Sequence, residues 1–178
     1  HRVIVFDAAT GEYKRHWGAY GSEPDDNASR DRTAEGPSPE QFNLVHGLII
    51  SNDRHVYVGD RVNNRIQQFK LDGTFVKERF IRRPSLAFGT AYDVDLSADP
   101  AQRFVYVADG TNNHIWMLDR SSLEILGRFG RQGCYAGQFH HVHSIAVDSA
   151  GNLYAAETQG KRVQRFLFQG VESNPPSQ

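Results

Sequence analysis

Short strands recurring with a period near 48 residues, turn chemistry between them and an absence of helical periodicity together predict an all-β propeller built from four-stranded antiparallel blades. Three segments read alike: His55-Val56-Tyr57-Val58-Gly59-Asp60, Phe104-Val105-Tyr106-Val107-Ala108-Asp109 and Asn152-Leu153-Tyr154-Ala155-Ala156-Glu157. Their acidic ends lie 49 and 48 residues apart. Each is followed by a turn and a second strand-like run, at 65–69, 114–118 and 162–166, and residues 2–6 are a fourth copy of that run. A period of this length filled with short strands marks propeller blades or a similar array. No window of a dozen residues keeps apolar positions at i, i+3, i+4 and i+7 without an intervening Gly or Pro, so helix is not expected.

The elements follow in order, with the strands of a blade lettered a to d from the inside outward. Residues 1–21 carry strands c and d of a first blade, at 3–6 and 12–17. Residues 22–45 are a long connection to the next strand a; within it 22–39 holds seven charged residues, three prolines and no Val, Ile, Leu or aromatic side chain, the composition of an exposed loop. Asn27-Ala28-Ser29 inside it is a glycosylation sequon. Residues 46–80 form a second blade with strands at 47–51, 55–60, 65–71 and 74–80, separated by Asn52-Asp53, Asn63-Asn64 and the hairpin signal Leu71-Asp72-Gly73-Thr74. Residues 92–129 repeat all four strands, and 143–168 supply a, b and c of a fourth blade. The whole chain, 1–178, is thus expected to be a single propeller domain, about three blades and one extra strand of a six-bladed ring.

Composition narrows the function. With 20 Lys+Arg against 21 Asp+Glu the net charge is -1, so overall charge cannot drive binding to nucleic acid. No apolar run approaches the roughly 18 residues of a membrane-spanning helix. The lone cysteine, Cys134, cannot form an internal disulfide.

The repeated segments resemble the NHL repeat propellers, whose blades carry a strand b ending in an acidic residue, an Asn/Gly turn and an Arg-Ile/Val-Gln-x-Phe strand c. Asp60-Arg61-Val62-Asn63-Asn64-Arg65-Ile66-Gln67-Gln68-Phe69 fits that pattern, as does Gly160-Lys161-Arg162-Val163-Gln164-Arg165-Phe166. A narrower resemblance links Val45-His46-Gly47-Leu48 and Val142-His143-Ser144-Ile145 to the strand-a openings of the peptidyl-hydroxyglycine amidating lyases. In that family, histidines opening alternate a strands hold a catalytic zinc. The resemblance implies His46 and His143 as metal ligands and slightly favours a periplasmic or secreted location. It departs from the family at Thr111-Asn112-Asn113, where the lyases have a tyrosine, and the family's third zinc histidine falls on a blade this chain does not carry.

Strand direction alternates within a blade, so strand-a openings, b-to-c turns and d-to-a connections all emerge on one face. Strand a is innermost, and His46 and His143, two periods apart, should converge on the axis about 120° apart around a six-bladed ring. A metal needs three or more ligands, and imidazole suits zinc or another divalent transition metal; the alternative is that these histidines bond channel water or a backbone carbonyl. His141 shares the side of His143, whereas His140 points away. Arg61, Arg65, His114, Lys161 and Arg162 surround b-to-c turns on the same face and form a candidate anion-binding rim. Their alternative role is pairing with Asp60 and Glu157 to tie the sheet together.

The sequence therefore predicts a non-catalytic NHL-type binding propeller presenting a His/Arg-lined face to a small molecule, peptide or protein, with a zinc-dependent lyase-like enzyme as the alternative. Two chains together would hold enough strands for a six-bladed ring, so a closed homodimer is a further expectation.

Overall fold

The computed structural model describes residues 1–28 and 36–170, and in these it is all-β with a single 3-10 turn at Ala19–Gly21. The strands form four antiparallel sheets. The first pairs β1 (Val3–Phe6) with β2 (Tyr13–Trp17). The second runs in order through β3 (Val45–Ile50), β4 (His55–Asp60), β5 (Arg65–Lys70) and β6 (Phe75–Phe80). The third is β7 (Asp93–Leu96), β8 (Phe104–Asp109), β9 (His114–Asp119) and β10 (Ile125–Phe129), and the last is β11 (Val142–Val147), β12 (Leu153–Glu157) and β13 (Arg162–Phe166). The described part of the 22–39 connection carries no strand; the rest of it, with Ser29 of the sequon, lies outside the described residues.

The b-to-c turns show why the chain reverses where it does. Asn64, Asn113 and Lys161, each directly before a strand c, all take the left-handed conformation, with φ of 57°, 58° and 50°. Asparagine adopts that region several-fold more often than other non-glycine residues, and here the two side chains fasten neighbouring connections, Asn64 to the Ser85 carbonyl and Asn113 to the His141 N–H. The turns are further held by the acidic residue that ends strand b. Asp60 accepts from the Asn63 side chain at 2.7 Å and Asp109 from Asn112 at 2.9 Å.

Each pair of neighbouring sheets shares one apolar core. Val3 and Trp17 of the first sheet pack with Val56, Val58 and Phe69 of the second. Tyr57 and Ile66 on the opposite side of the second sheet pack with Val94, Val105 and Leu118 of the third. Tyr106, Ala108 and Ile115 of the third meet Val142, Leu153 and Ala155 of the fourth. A sheet inside the stack is therefore apolar on both faces, and its period-2 alternation is hidden. The end sheets still show it: Val3 is buried while Ile4 and Phe6 are exposed, and Val163 is exposed on β13.

Charged ties reinforce the stack. Arg65 is fully buried and bonds Asp60 at 2.8 Å, Glu78 at 3.2 Å and the Tyr20 hydroxyl at 2.8 Å. At the other end of the strands Arg120 of the third sheet binds Asp53 of the second at 2.8 Å.

Candidate functional site

The innermost strands open at one end of the stack, and two of them open with an irregularity. On β3 the register passes from Val45 opposite Asp60 to Gly47 opposite Gly59, leaving His46 as the extra residue of a β-bulge. On β11 it passes from Val142 opposite Glu157 to Ser144 opposite Ala156, leaving His143 in the same role. A bulge bends its strand and re-aims one side chain, a recurrent device beside functional sites. Here it turns both imidazoles toward each other: their ring centroids stand 4.9 Å apart, although 97 residues separate them in the chain.

The residue in the matching slot of the third sheet is Tyr92, and its ring lies against both imidazoles. Its ring centroid is 5.6 Å from that of His46, 5.4 Å from His143 and 5.2 Å from His141. The Arg61 guanidinium lies over its face at 4.6 Å from the centroid. The Tyr92 carbonyl accepts a hydrogen bond from His46 Nδ1 at 2.5 Å. Because a carbonyl only accepts, that bond places a proton on Nδ1 and leaves Nε2 as the nitrogen facing away from it. His141 joins from the residue before β11, held at φ 64° by Asn113 Oδ1, which accepts from its backbone N–H at 2.6 Å. A left-handed residue other than glycine costs about 1–2 kcal/mol, a strain retained where surrounding contacts over-determine it.

The electrostatics favour neutral rings. Burial, then the charges of His46, His141 and Arg61, push His143 below the usual histidine range, against an opposing pull from Asp93. Burial and Arg61 act the same way on His141. The cluster thus offers lone-pair acceptors around an aromatic floor, with one guanidinium at its margin.

The other rim residues of the sequence reading do not join it. Arg65 is corrected outright: its side chain is inaccessible, and its fork is consumed by Asp60, Glu78 and Tyr20. Arg162 bonds Glu157 at 2.7 Å and the Cys134, Tyr135 and Gln138 carbonyls, so it fastens the connection between the third and fourth sheets. His114 Nδ1 donates to the Gly130 carbonyl of the same connection at 2.8 Å. Lys161 is exposed at its turn. Tyr92 was not among the sequence candidates. The signal was available, because position 92 falls in the repeat slot of 46 and 143, but the slot carries no histidine and a tyrosine there has no metal-ligating pattern to mark it.

A second unforeseen feature is the connection between β6 and β7. Leu86 and Phe88 are largely exposed, yet the backbone beneath them is fastened. Asn64 Nδ2 donates to the Ser85 carbonyl at 2.6 Å, Arg61 Nε to the Phe88 carbonyl at 2.9 Å and Thr111 Oγ1 to the Gly89 carbonyl at 2.5 Å. Arg61 thereby joins this apolar lip to the Tyr92 ring.

Comparison with known proteins agrees with this architecture. Residues 42–69 match the NHL repeat. Over 137 residues the chain is 30% identical to peptidyl-glycine alpha-amidating monooxygenase B of Xenopus laevis; the match takes in 73% of this chain and 15% of that protein. Among solved structures, hydrazine synthase of Kuenenia stuttgartiensis aligns with a TM-score of 0.57 at 16% identity, over 87% of this chain and 35% of that one. A streptogramin B lyase aligns at 0.54 and 18%, over 75% and 41%. The β-propeller domain of Cps50 (Swd1) from Myceliophteria thermophila aligns at 0.57 and 15%, over 92% and 46%. These structural likenesses establish the fold, and the chain spans less than half the length of each of these proteins.

Proposed function

Starting from a propeller chain that carries an NHL repeat, we propose that the bulged openings of its inner strands form a ligand-binding face centred on His46, Tyr92, His141, His143 and Arg61. The observation that carries this reading is the meeting of two bulge histidines at 4.9 Å. Two distant strands are distorted in the same place, and both distortions present imidazole at one point. The ligand is a small molecule or peptide that gives hydrogen-bond donors or a Lewis-acidic centre to neutral imidazoles, with any anionic portion lying toward Arg61.

A metal-dependent, lyase-like enzyme is the second reading, favoured by the same pair and by the relative whose name specifies peptidyl-glycine amidation. The donor set suits two positions of a zinc site. Imidazoles sharing one tetrahedral ion at about 2.0–2.1 Å per nitrogen have centroids roughly 5 Å apart, and the Nδ1–H of His46 is donated outward to a carbonyl as in such sites. Among the described residues no group of three or more His, Cys, Asp or Glu could hold an ion, so the remaining ligands come from elsewhere. A bound zinc supplies Lewis-acid polarisation of an oxygen. Tyr92 would then orient the substrate with its ring, and its hydroxyl, 3.5 Å from Thr111 Oγ1, stands beside the turn where the lyases carry a tyrosine.

Two measurements test the readings separately. An NMR screen of short peptides and small carboxylates should shift His46, Tyr92, His141 and His143, leaving the Asp53 and Asp99 turns at the opposite end unmoved. Shifts confined to that opposite end would overturn the binding face. Titration with Co(II) near pH 7.5 should give visible absorption bands that His46→Ala with His143→Ala abolishes; a silent wild-type titration would remove the metal reading.

A further inference from the structure

The two histidine-bearing strands are not hydrogen-bonded to each other; β7 lies between them and touches both. The residue of β7 that follows Tyr92 is Asp93. Its Oδ2 accepts from the Ser144 hydroxyl at 2.6 Å and from the Ile145 backbone N–H at 2.9 Å. Those are the two residues immediately after the His143 bulge. On the other side Asp93 packs against Gly47, the residue immediately after the His46 bulge. A Cβ on Gly47 would stand 2.7 Å from Asp93 Cα and 2.7 Å from its Oδ1, closer than any side chain can approach.

We infer that Asp93 is a positioning residue for the histidine pair: one carboxylate oxygen fastens the strand that carries His143, while its backbone and other oxygen seat the strand that carries His46. Inner strands of adjacent blades have no main-chain ladder between them, so their relative height depends on side chains. Asp93 replaces that ladder one residue beyond each bulge, while Asp95, whose Oδ2 accepts from the Val147 backbone N–H at 2.7 Å, ties β7 to β11 further along, away from the histidines. Gly47 is required on the near side because the gap is already filled. Together with the Tyr92 carbonyl, which holds His46 Nδ1, the Tyr92-Asp93 dipeptide grips both histidine strands. Charge-assisted bonds of this kind are short and directional, which suits a spacer.

This inference rests on reading His46 and His143 as the ligand centre, but its primary test does not need a ligand. A nuclear Overhauser contact between the ring protons of His46 and His143 reports their spacing directly. Asp93→Ala should abolish that contact while remote resonances stay in place. Asp93→Asn, whose amide oxygen still accepts from Ile145, should retain it. Co(II) binding, where the wild type shows it, should weaken at least about tenfold in Asp93→Ala, as loss of a group that orients ligands does. A folded Asp93→Ala that keeps the ring contact would overturn the inference, as would Asp93→Asn losing it as fully as alanine. If Asp93→Ala does not fold, Asp93→Val, of similar volume but with no acceptor, carries the test: a weakened ring contact supports the spacer, an unchanged one refutes it. Absence of Co(II) binding in the wild type with a ring contact that still depends on Asp93 would defeat the metal reading and leave the spacer standing.

Discussion

At the scale of single residues, most charged groups near the candidate face are architectural, and Arg65 shows why. Its guanidinium has no contact with water and meets two carboxylates, a phenol and the Gln41 carbonyl, which accepts at 3.2 Å. Breaking a buried pair leaves the partner charge uncompensated, a cost of about 3–5 kcal/mol. Arg65→Met should therefore lower unfolding stability by about that amount in a urea titration, although methionine fits a similar volume. Arg65→Lys should also destabilise, because an ammonium cannot reproduce the planar fork. Arg61 presents the contrast. One side of it bonds a backbone carbonyl and the other rests on Tyr92, so Arg61→Ala should perturb ligand binding far more than stability, measured on the same sample by titration and denaturation.

At the scale of elements, the turns and bulges decide where side chains go. Three b-to-c turns use the same left-handed residue before strand c, but only two place asparagine there. Lys161 holds φ 50°, a region that asparagine adopts more readily than lysine. Lys161→Asn should raise stability by roughly 0.5–1 kcal/mol, read as a shift in denaturation midpoint at unchanged slope. A null shift would mean that the lysine pays nothing for its conformation. The bulges at His46 and His143 are the same kind of local decision with a functional result. Without the extra residue, period-2 alternation alone would set which side of the strand each ring takes, and the meeting at 4.9 Å would depend on register rather than on a dedicated kink.

At the scale of the whole molecule, the sheets are joined face to face and tied at the turns. Asp53 belongs to the second sheet and Arg120 to the third. Burial works against ionising Asp53, but hydrogen bonds from Ser51 and Arg120 and the charges of Arg120 and His55 outweigh it, taking the carboxyl from 3.8 to about 2. A depressed carboxyl stabilises the fold above its unfolded value and loses that contribution as pH falls toward the folded one. Stability should accordingly decline between about pH 4 and pH 2, and Asp53→Asn should flatten part of that decline in thermal scans across the window. The outward faces of the end sheets, with Ile4 and Phe6 on one and Val163 on the other, are apolar surfaces that a neighbouring blade would cover. A ring closed by two copies predicts a mass of twice 20.1 kDa by light scattering. A mass of one copy, stable at micromolar concentration, would exclude that closure.

What the sequence by itself determined is the strand plan: all-β, and among the described residues thirteen strands grouped two, four, four and three, with turns at the Asn and Asp-Gly positions. These are local properties, carried by side-chain alternation and turn chemistry repeated every 48 or 49 residues, so one blade predicts the next. His46 and His143 were legible for the same reason, as equivalents in two repeats. Only the tertiary structure decided that Tyr92 stands against both rings, that Asp93 grips both strands, that Arg61 reaches the site and that Arg65 does not. Those outcomes depend on packing between sheets and on a one-residue bulge, and neither leaves a periodic trace. Burial of an arginine is set by what surrounds it in space: residues 60 and 78 flank residue 65 within the second sheet, and Tyr20 covers it only once the chain following β2 has packed against that sheet.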